Sequence, residues 1–328
     1  MKLPRRTFVR FATATALFAA LTAMLLAATG PYAWAQTRTI RIVVPYPPGS
    51  GPDILSRLLS EQIGRTNGPT VVVENRPGGG TLIGTEAVAR AAPDGNTVLL
   101  VANTFVVTPS LKPRVYEISS FEPVCYLAST PIVLVVQGSS PYKTLGDLIA
   151  AARAKPGALS VAGSPASSLQ IAYEVFKRAA NVDMTYVPFP GTPPAINTLL
   201  GGHVTAVSAD YPTVVPHLKS GVLRGLVTAN AKRVETMPDV PTFAEAGLPK
   251  YEAEIFYGIV APPKTPADQV ALLTNWFKPA LKAPEVKPKL DLQGLFPVGI
   301  CGAEFGTYMR NLAEEYSRII HEANIKSE

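Results

Sequence analysis

Apolar positions along the chain switch repeatedly between two rhythms, and the switches fall at proline- and glycine-rich turns. Residues 40–44 are β-branched and apolar apart from Arg41, which predicts a strand. Ile54, Leu55, Leu58, Leu59 and Ile63 then recur at a spacing that places one apolar face on a helix. The alternation continues, with strands predicted at 71–74, 97–102, 159–162, 186–189, 204–209, 223–229 and 255–261. Helices are predicted at 81–91, 144–154, 169–177, 192–200, 265–282 and 303–323, with a short one from Pro212 and Thr-capped helical turns over 240–247. Thr144 and Asp147 have the spacing of a capping box with Asp in place of Glu. Such strand–helix alternation predicts an α/β fold with mainly parallel sheets covered on both faces. Residues 121–136 are apolar but interrupted at Ser129-Thr130-Pro131. A first sheet ending there and a second starting at Ile132 would make this stretch a crossing between two lobes. The expected division is 36–128 plus 230–328 for lobe 1 and 129–229 for lobe 2.

Between the first strand and first helix lies Pro45-Tyr46-Pro47-Pro48-Gly49-Ser50-Gly51-Pro52-Asp53. Proline at a helix start and Ser or Gly at its cap suit a tight βα turn. The unpaired amides of a helix N-terminus favour an anion, although an ordinary βα junction looks the same. Ile54 stands where a dinucleotide fingerprint needs its third glycine, and no Gly-Lys-Ser/Thr follows. A second turn of this kind, Gly163-Ser164-Pro165-Ala166-Ser167-Ser168, enters the helix that begins near Leu169. Opposed across a cleft, the two turns could grip the two ends of one anion. Asn103 and Thr104 follow the third strand, at the strand end where open α/β sheets place ligands, or serve there as a simple turn. Thr192 reads as the cap of the helix behind Gly191. Asp210 either faces ligand or caps the helix from Pro212. No Arg or Lys lies within either turn, and Arg57 and Arg76 read as a helix-face ion pair and a turn-stabilising group.

The N-terminus changes the picture of charge. Arg5 and Arg6 head an apolar run from Phe11 to Ala28, and Ala33-Trp34-Ala35 fits a small-x-small cleavage site. Residues 1–35 therefore read as an export signal cleaved after Ala35, by the twin-arginine or general route, with an uncleaved anchor as the rival. Losing Lys2, Arg5, Arg6 and Arg10, with no acid among them, takes the net charge from +6 to +2. Nucleic acid, which needs a dense basic surface, is excluded as a partner. Charged residues are 16% of the chain against about 25% on average, and there are 32 prolines, which together argue for rigid turns and not charge-driven disorder. Cys125 and Cys301 either pair or stay free. His203, His217 and His321 follow no zinc or catalytic spacing, and no hydrolase elbow or phosphate loop is present, so neither cofactor, metal nor enzyme activity is expected.

Taken in order, the first turn, Val73-Glu74-Asn75-Arg76-Pro77-Gly78, Pro93-Asp94-Gly95, Val187-Pro188-Phe189, Val240-Pro241-Thr242 with Glu245-Ala246-Gly247, and Tyr257-Gly258 leading to Ala261-Pro262 closely resemble the substrate-binding proteins of tripartite tricarboxylate transporters, the Bug-type solute receptors. The resemblance implies a two-lobed periplasmic binding fold, type II-like, that closes on a small organic carboxylate. It implies delivery to the membrane components of a tripartite tricarboxylate-type transporter by a monomeric receptor, with presentation to a signalling partner as the alternative. Carried onto this chain, the ligand site comprises Tyr46, Pro48, Gly49, Ser50 and Gly51 in the first lobe, and Ser164, Ala166, Ser167 and Ser168 in the second. Asn103, Thr104, Gly191, Thr192 and Asp210 are its neighbours. Where the family usually has a His three residues after its Gly-Ser, and a Lys before the glycine at 191, this chain has Gln170 and Pro190. The Gly-Ala-Gly-Gly after Arg-Pro is Gly78-Gly79-Gly80-Thr81 here. The loss of two cationic positions points to a mono- or dicarboxylate in preference to a tricarboxylate.

Overall fold

A computed structural model describes residues 38–66, 68–112, 115–248 and 253–323. The expected export segment, its cleavage site and the rival anchor all lie outside the described residues. Among the described residues, no helix is long and apolar enough to cross a membrane.

Ten strands make one sheet: β1 (Thr39–Val44), β2 (Thr70–Asn75), β3 (Thr97–Val101), β4 (Glu122–Gln137), β5 (Ser160–Gly163), β6 (Thr185–Pro188), β7 (Ala206–Asp210), β8 (Leu223–Thr228), β9 (Glu254–Ala261) and β10 (Phe296–Cys301). They run in the order β2-β1-β3-β9-β4-β7-β5-β6, with β8 and β10 also paired to β4. The helices are α1 (Gly51–Arg65), α2 (Leu82–Ala89), α3 (Asn103–Leu111), α4 (Leu145–Ala154), α5 (Ser168–Ala179), α6 (Thr192–Leu200), α7 (Tyr211–Lys219), α8 (Ala267–Lys282), α9 (Lys287–Leu292) and α10 (Ala303–Ala323).

The expected parallel pairing holds at the two ends of the sheet, where helical crossovers join β1 to β2 and β3, and β5 to β6 and β7. Around β4 it is antiparallel: the first half pairs β9 and β10, and the second half pairs β7 and β8. The sheet is therefore mixed, because β8 and β9 return along a strand that both halves share. The sheet thus has two halves joined through β4.

Residues 122–137 form a single strand of 16 residues, where the sequence suggested a break before Ile132. The polar interruption is absorbed by burial and bonding: Thr130 is fully buried and donates its hydroxyl to the Gly294 carbonyl at 2.9 Å. Shifts in register between Pro123 and Cys125, and between Tyr126 and Ala128, accommodate the irregular pairing with β9.

Helix α3 was not expected. Every residue from Asn103 to Thr108 is buried, so no polar face marks it in the sequence. Over 240–247 the Thr-capped helical turns form as expected, with Ala246 N–H bonded to the Thr242 carbonyl at 3.0 Å and Gly247 stopping them at φ +78°. Thr242 and Glu245 cap each other there, through Thr242 N–H to Glu245 Oε2 (2.9 Å) and Glu245 N–H to Thr242 Oγ1 (3.2 Å). The capping box of α4 forms as expected, between Thr144 and Asp147. Helix α1 turns Leu55, Leu59 and Ile63 into the core with Ile40, Ile42 and Val44 of β1, each worth roughly 1.5–3 kcal/mol on burial.

Cys125 and Cys301 face each other across β4 and β10 and are joined by a disulfide. The antiparallel register brings together two residues separated by 176 positions, which no sequence spacing could reveal.

Candidate functional site

The first turn is built by its own carboxylate. Gly49 takes φ +77°, a left-handed conformation that glycine adopts without strain. Its N–H donates to Asp53 Oδ2 at 2.9 Å. Arg57 Nε donates to the same oxygen at 3.0 Å, and Asn75 Nδ2 donates to Asp53 Oδ1 at 2.9 Å and to the Tyr46 carbonyl at 3.2 Å. Burial of Asp53 opposes its charge, but Arg57, the Gly49 amide and Asn75 more than offset this and hold its pKa below the usual carboxylate range. Ser50 is the cap residue of α1, yet its hydroxyl closes the turn on the Pro47 carbonyl at 2.7 Å. Arg57 and Arg76 pair with Asp53 and Glu74 respectively, as their positions suggested.

The second turn enters α5. Ser167 caps it and donates its hydroxyl to the Ser164 carbonyl at 2.6 Å, and Tyr186 donates to the same carbonyl at 2.8 Å. Ala166 sits at φ +50°, with its N–H held by Gln170 Oε1 at 2.7 Å.

The two turns meet. A Cβ added to Gly191 would lie 2.8 Å from Pro47 Cδ, and one added to Gly51 would strike the Tyr257 hydroxyl and the Asp210 carboxylate. Between them lies a cavity lined by Tyr46, Ser50, Pro52, Ala102, Asn103, Thr104, Ser164, Ser167, Ser168, Leu169, Gly191, Thr192, Asp210, Ile255 and Tyr257. About 40 Å³ of it is open to the centre of a water-sized sphere, room for roughly three waters.

Of the residues singled out from the sequence, Tyr46, Ser50, Asn103, Thr104, Ser164, Ser167, Ser168, Gly191, Thr192 and Asp210 line this cavity. Pro48, Gly49, Gly51 and Ala166 do not. Gly49 and Ala166 give their amides to Asp53 and Gln170, and Gly51 gives its own to Asp210 at 2.8 Å. Asn103 lines the wall, but its amide is committed to the fold: Nδ2 donates to the Glu254 carbonyl (3.0 Å) and the Tyr316 hydroxyl (2.7 Å), and Oδ1 accepts from Phe256 N–H (2.9 Å). Thr192 does not cap α6, where Gly191 holds the cap position; its hydroxyl bonds Asp210. Asp210 lines the cavity and makes no side-chain cap bond to the α7 backbone. It occupies the cap position of α7 and accepts from Thr213 Oγ1 at 2.7 Å, while also reaching Gly51 at the start of α1.

Pro52, Ala102, Leu169, Ile255 and Tyr257 were not anticipated as lining residues. Ile255 and Tyr257 alternate along β9, and only the pairing of β9 with β3 and β4 carries them to the cavity. Tyr46 and Tyr257 are buried, which pushes both hydroxyls well above the ordinary phenol range. A hydrogen bond with Thr104 works against that rise at Tyr46, and the Asp210 charge adds to it at both. Both remain neutral hydroxyls at physiological pH. The lining contains no Lys, Arg or His, so its donors are hydroxyls and amides.

The profile of the tripartite tricarboxylate transporter family receptor matches residues 55–325. Protein BugT of Bordetella pertussis is 33% identical over 297 residues, covering 88% of this chain and 90% of its own. The solved periplasmic binding protein BugD superposes with a TM-score of 0.84 at 28% identity, covering 89% of this chain and 99% of its own. A Rhodopseudomonas palustris protein solved with adipate gives a TM-score of 0.84 at 29% identity, with 88% and 98% covered. These relatives are solute-binding receptors and not enzymes. The chain belongs to the tripartite tricarboxylate transporter receptor family, among the Bug proteins.

Proposed function

We propose that this receptor captures a small organic carboxylate in the cavity between residues 46–51 and 164–168 and delivers it to the membrane components of a tripartite tricarboxylate-type transporter. The observation that carries the reading is the convergence of both turns, one from each half of the sheet, on a single cavity rich in hydroxyl groups and free of basic side chains. A relative in the same fold holds adipate, a carboxylate of the expected class. The two lobes, 36–128 plus 230–328 and 129–229, part to admit the ligand and close over it.

The energetics suit such a site. Micromolar affinity needs about 8 kcal/mol. Each hydrogen bond to a charged group contributes roughly 1.5–3 kcal/mol and a helix terminus about 0.3–2 kcal/mol. Four such bonds and the α5 terminus reach that scale before the costs of ordering and closure. Export to the periplasm follows from the basic-apolar N-terminus and from the family.

A thermal-shift screen of mono-, di- and tricarboxylates tests the proposal, since a ligand that binds the folded state raises its melting temperature. At least one mono- or dicarboxylate is expected to raise it, and Ser167→Glu is expected to abolish the rise. An unchanged response in that variant removes the second turn from the site. Chemical conversion of a binding carboxylate by the purified protein contradicts the receptor role.

A further inference from the structure

Asp210 gives the cavity a charge that its family role does not explain. It ends β7 with 5% exposure and, tyrosines aside, is the only ionisable side chain in the lining. Its Oδ2 accepts from the Gly51 amide at 2.8 Å and from Thr213 at 2.7 Å, with the Tyr257 hydroxyl at 3.5 Å. Its Oδ1 accepts from Thr192. A carboxylate offers about four acceptor sites, so Oδ1 retains one.

This occupancy divides the cavity chemically. The Gly51 amide and the Thr192 and Thr213 hydroxyls already serve an internal anion and are closed to a second. The 164–168 turn keeps the Ser164 and Ser168 hydroxyls and the Ser168 and Leu169 amides at the start of α5, with no carboxylate bonded to residues 164–168 among the described residues. The 164–168 turn therefore offers donors to a ligand in the cavity, and Asp210 offers an acceptor.

We propose that Asp210 sets selectivity, so that the preferred ligand is a small monocarboxylate whose far end carries a hydrogen-bond donor, an ammonium or a hydroxyl, directed at Asp210 Oδ1. This rests on the receptor reading above and narrows its ligand class. A second carboxylate at that end would meet Asp210 in a water-poor cavity where like charges repel strongly. An alkyl end would forgo the charge-assisted bond that the remaining Oδ1 acceptor site offers.

Calorimetric titration with 4-aminobutanoate, 4-hydroxybutanoate, butanoate and succinate keeps four carbons and one carboxylate constant while changing the far group. At least one of the two donor-bearing ligands is expected to bind at least tenfold more tightly than butanoate and succinate, and the pair separates ammonium from hydroxyl. Asp210→Asn is expected to bring succinate within threefold of the preferred ligand. If that variant fails to fold, the ranking on the unaltered protein decides alone. Succinate binding as tightly as both donor-bearing ligands overturns the selectivity and leaves the receptor reading standing. No heat from any of the four also overturns the selectivity, and the wider carboxylate screen then shows whether the receptor reading falls with it.

Discussion

Gly51 shows how closely the first turn approaches β7 and β9. Any side chain there would run into the Tyr257 hydroxyl and the Asp210 carboxylate, so Gly51→Ala forces β7 and β9 away from α1. Overpacking of this kind costs about 1–3 kcal/mol. The variant should bind its carboxylate at least tenfold more weakly by calorimetry, and unchanged affinity would mean that this contact is absent from the bound form. Asp53 makes a prediction about pH. Its folded pKa is depressed, so its contribution is complete above the unfolded value near 4 and disappears as pH falls through the lower folded value. Acid titration of stability should be shallower below about pH 4 in Asp53→Asn than in the unaltered protein. Equal slopes would show that Asp53 is not held by Arg57, Gly49 and Asn75. The types of these residues were legible in the sequence, but their partners were not. Asp53 and Asn75 are 22 positions apart, and Asp210 and Gly51 are 159 apart.

At the scale of elements, the strand–helix rhythm was readable wherever one face is wet. The box of Thr144 and Asp147 and the terminal helix Ala303–Ala323 came directly from local chemistry and periodicity. The pattern failed where burial is complete. Helix α3 has no polar stripe, and β4 runs without a break because both of its halves pair on two sides. β10 was missed for the opposite reason: its residues are exposed or half-buried and carry a glycine and a proline. The Cys125–Cys301 disulfide ties this outer strand to β4. Replacing both cysteines by serine should lower unfolding free energy by about 2–5 kcal/mol, read from denaturant unfolding. A loss below about 0.5 kcal/mol would indicate that β10 is held by its pairing and by α10 without the bond.

At the scale of the whole molecule, the two turns acquire meaning only together. Each alone is an ordinary strand–helix junction, and their resemblance in sequence could not show that they share a cavity. The fold brings them face to face because β4 belongs to both halves of the sheet, carrying β9 with Tyr257 along one half and β7 with Asp210 along the other. The cations that might have been expected around an anion are elsewhere, with Arg57 and Arg76 paired to Asp53 and Glu74. In the proposed site, recognition depends on amides and hydroxyls. The most direct test is a crystal structure of the protein with the carboxylate that raises its melting temperature most. The account predicts one ligand carboxylate oxygen about 2.7–3.2 Å from an amide or hydroxyl of residues 164–168, with the first turn closed over it. A carboxylate seated outside the cavity between the turns would contradict the account.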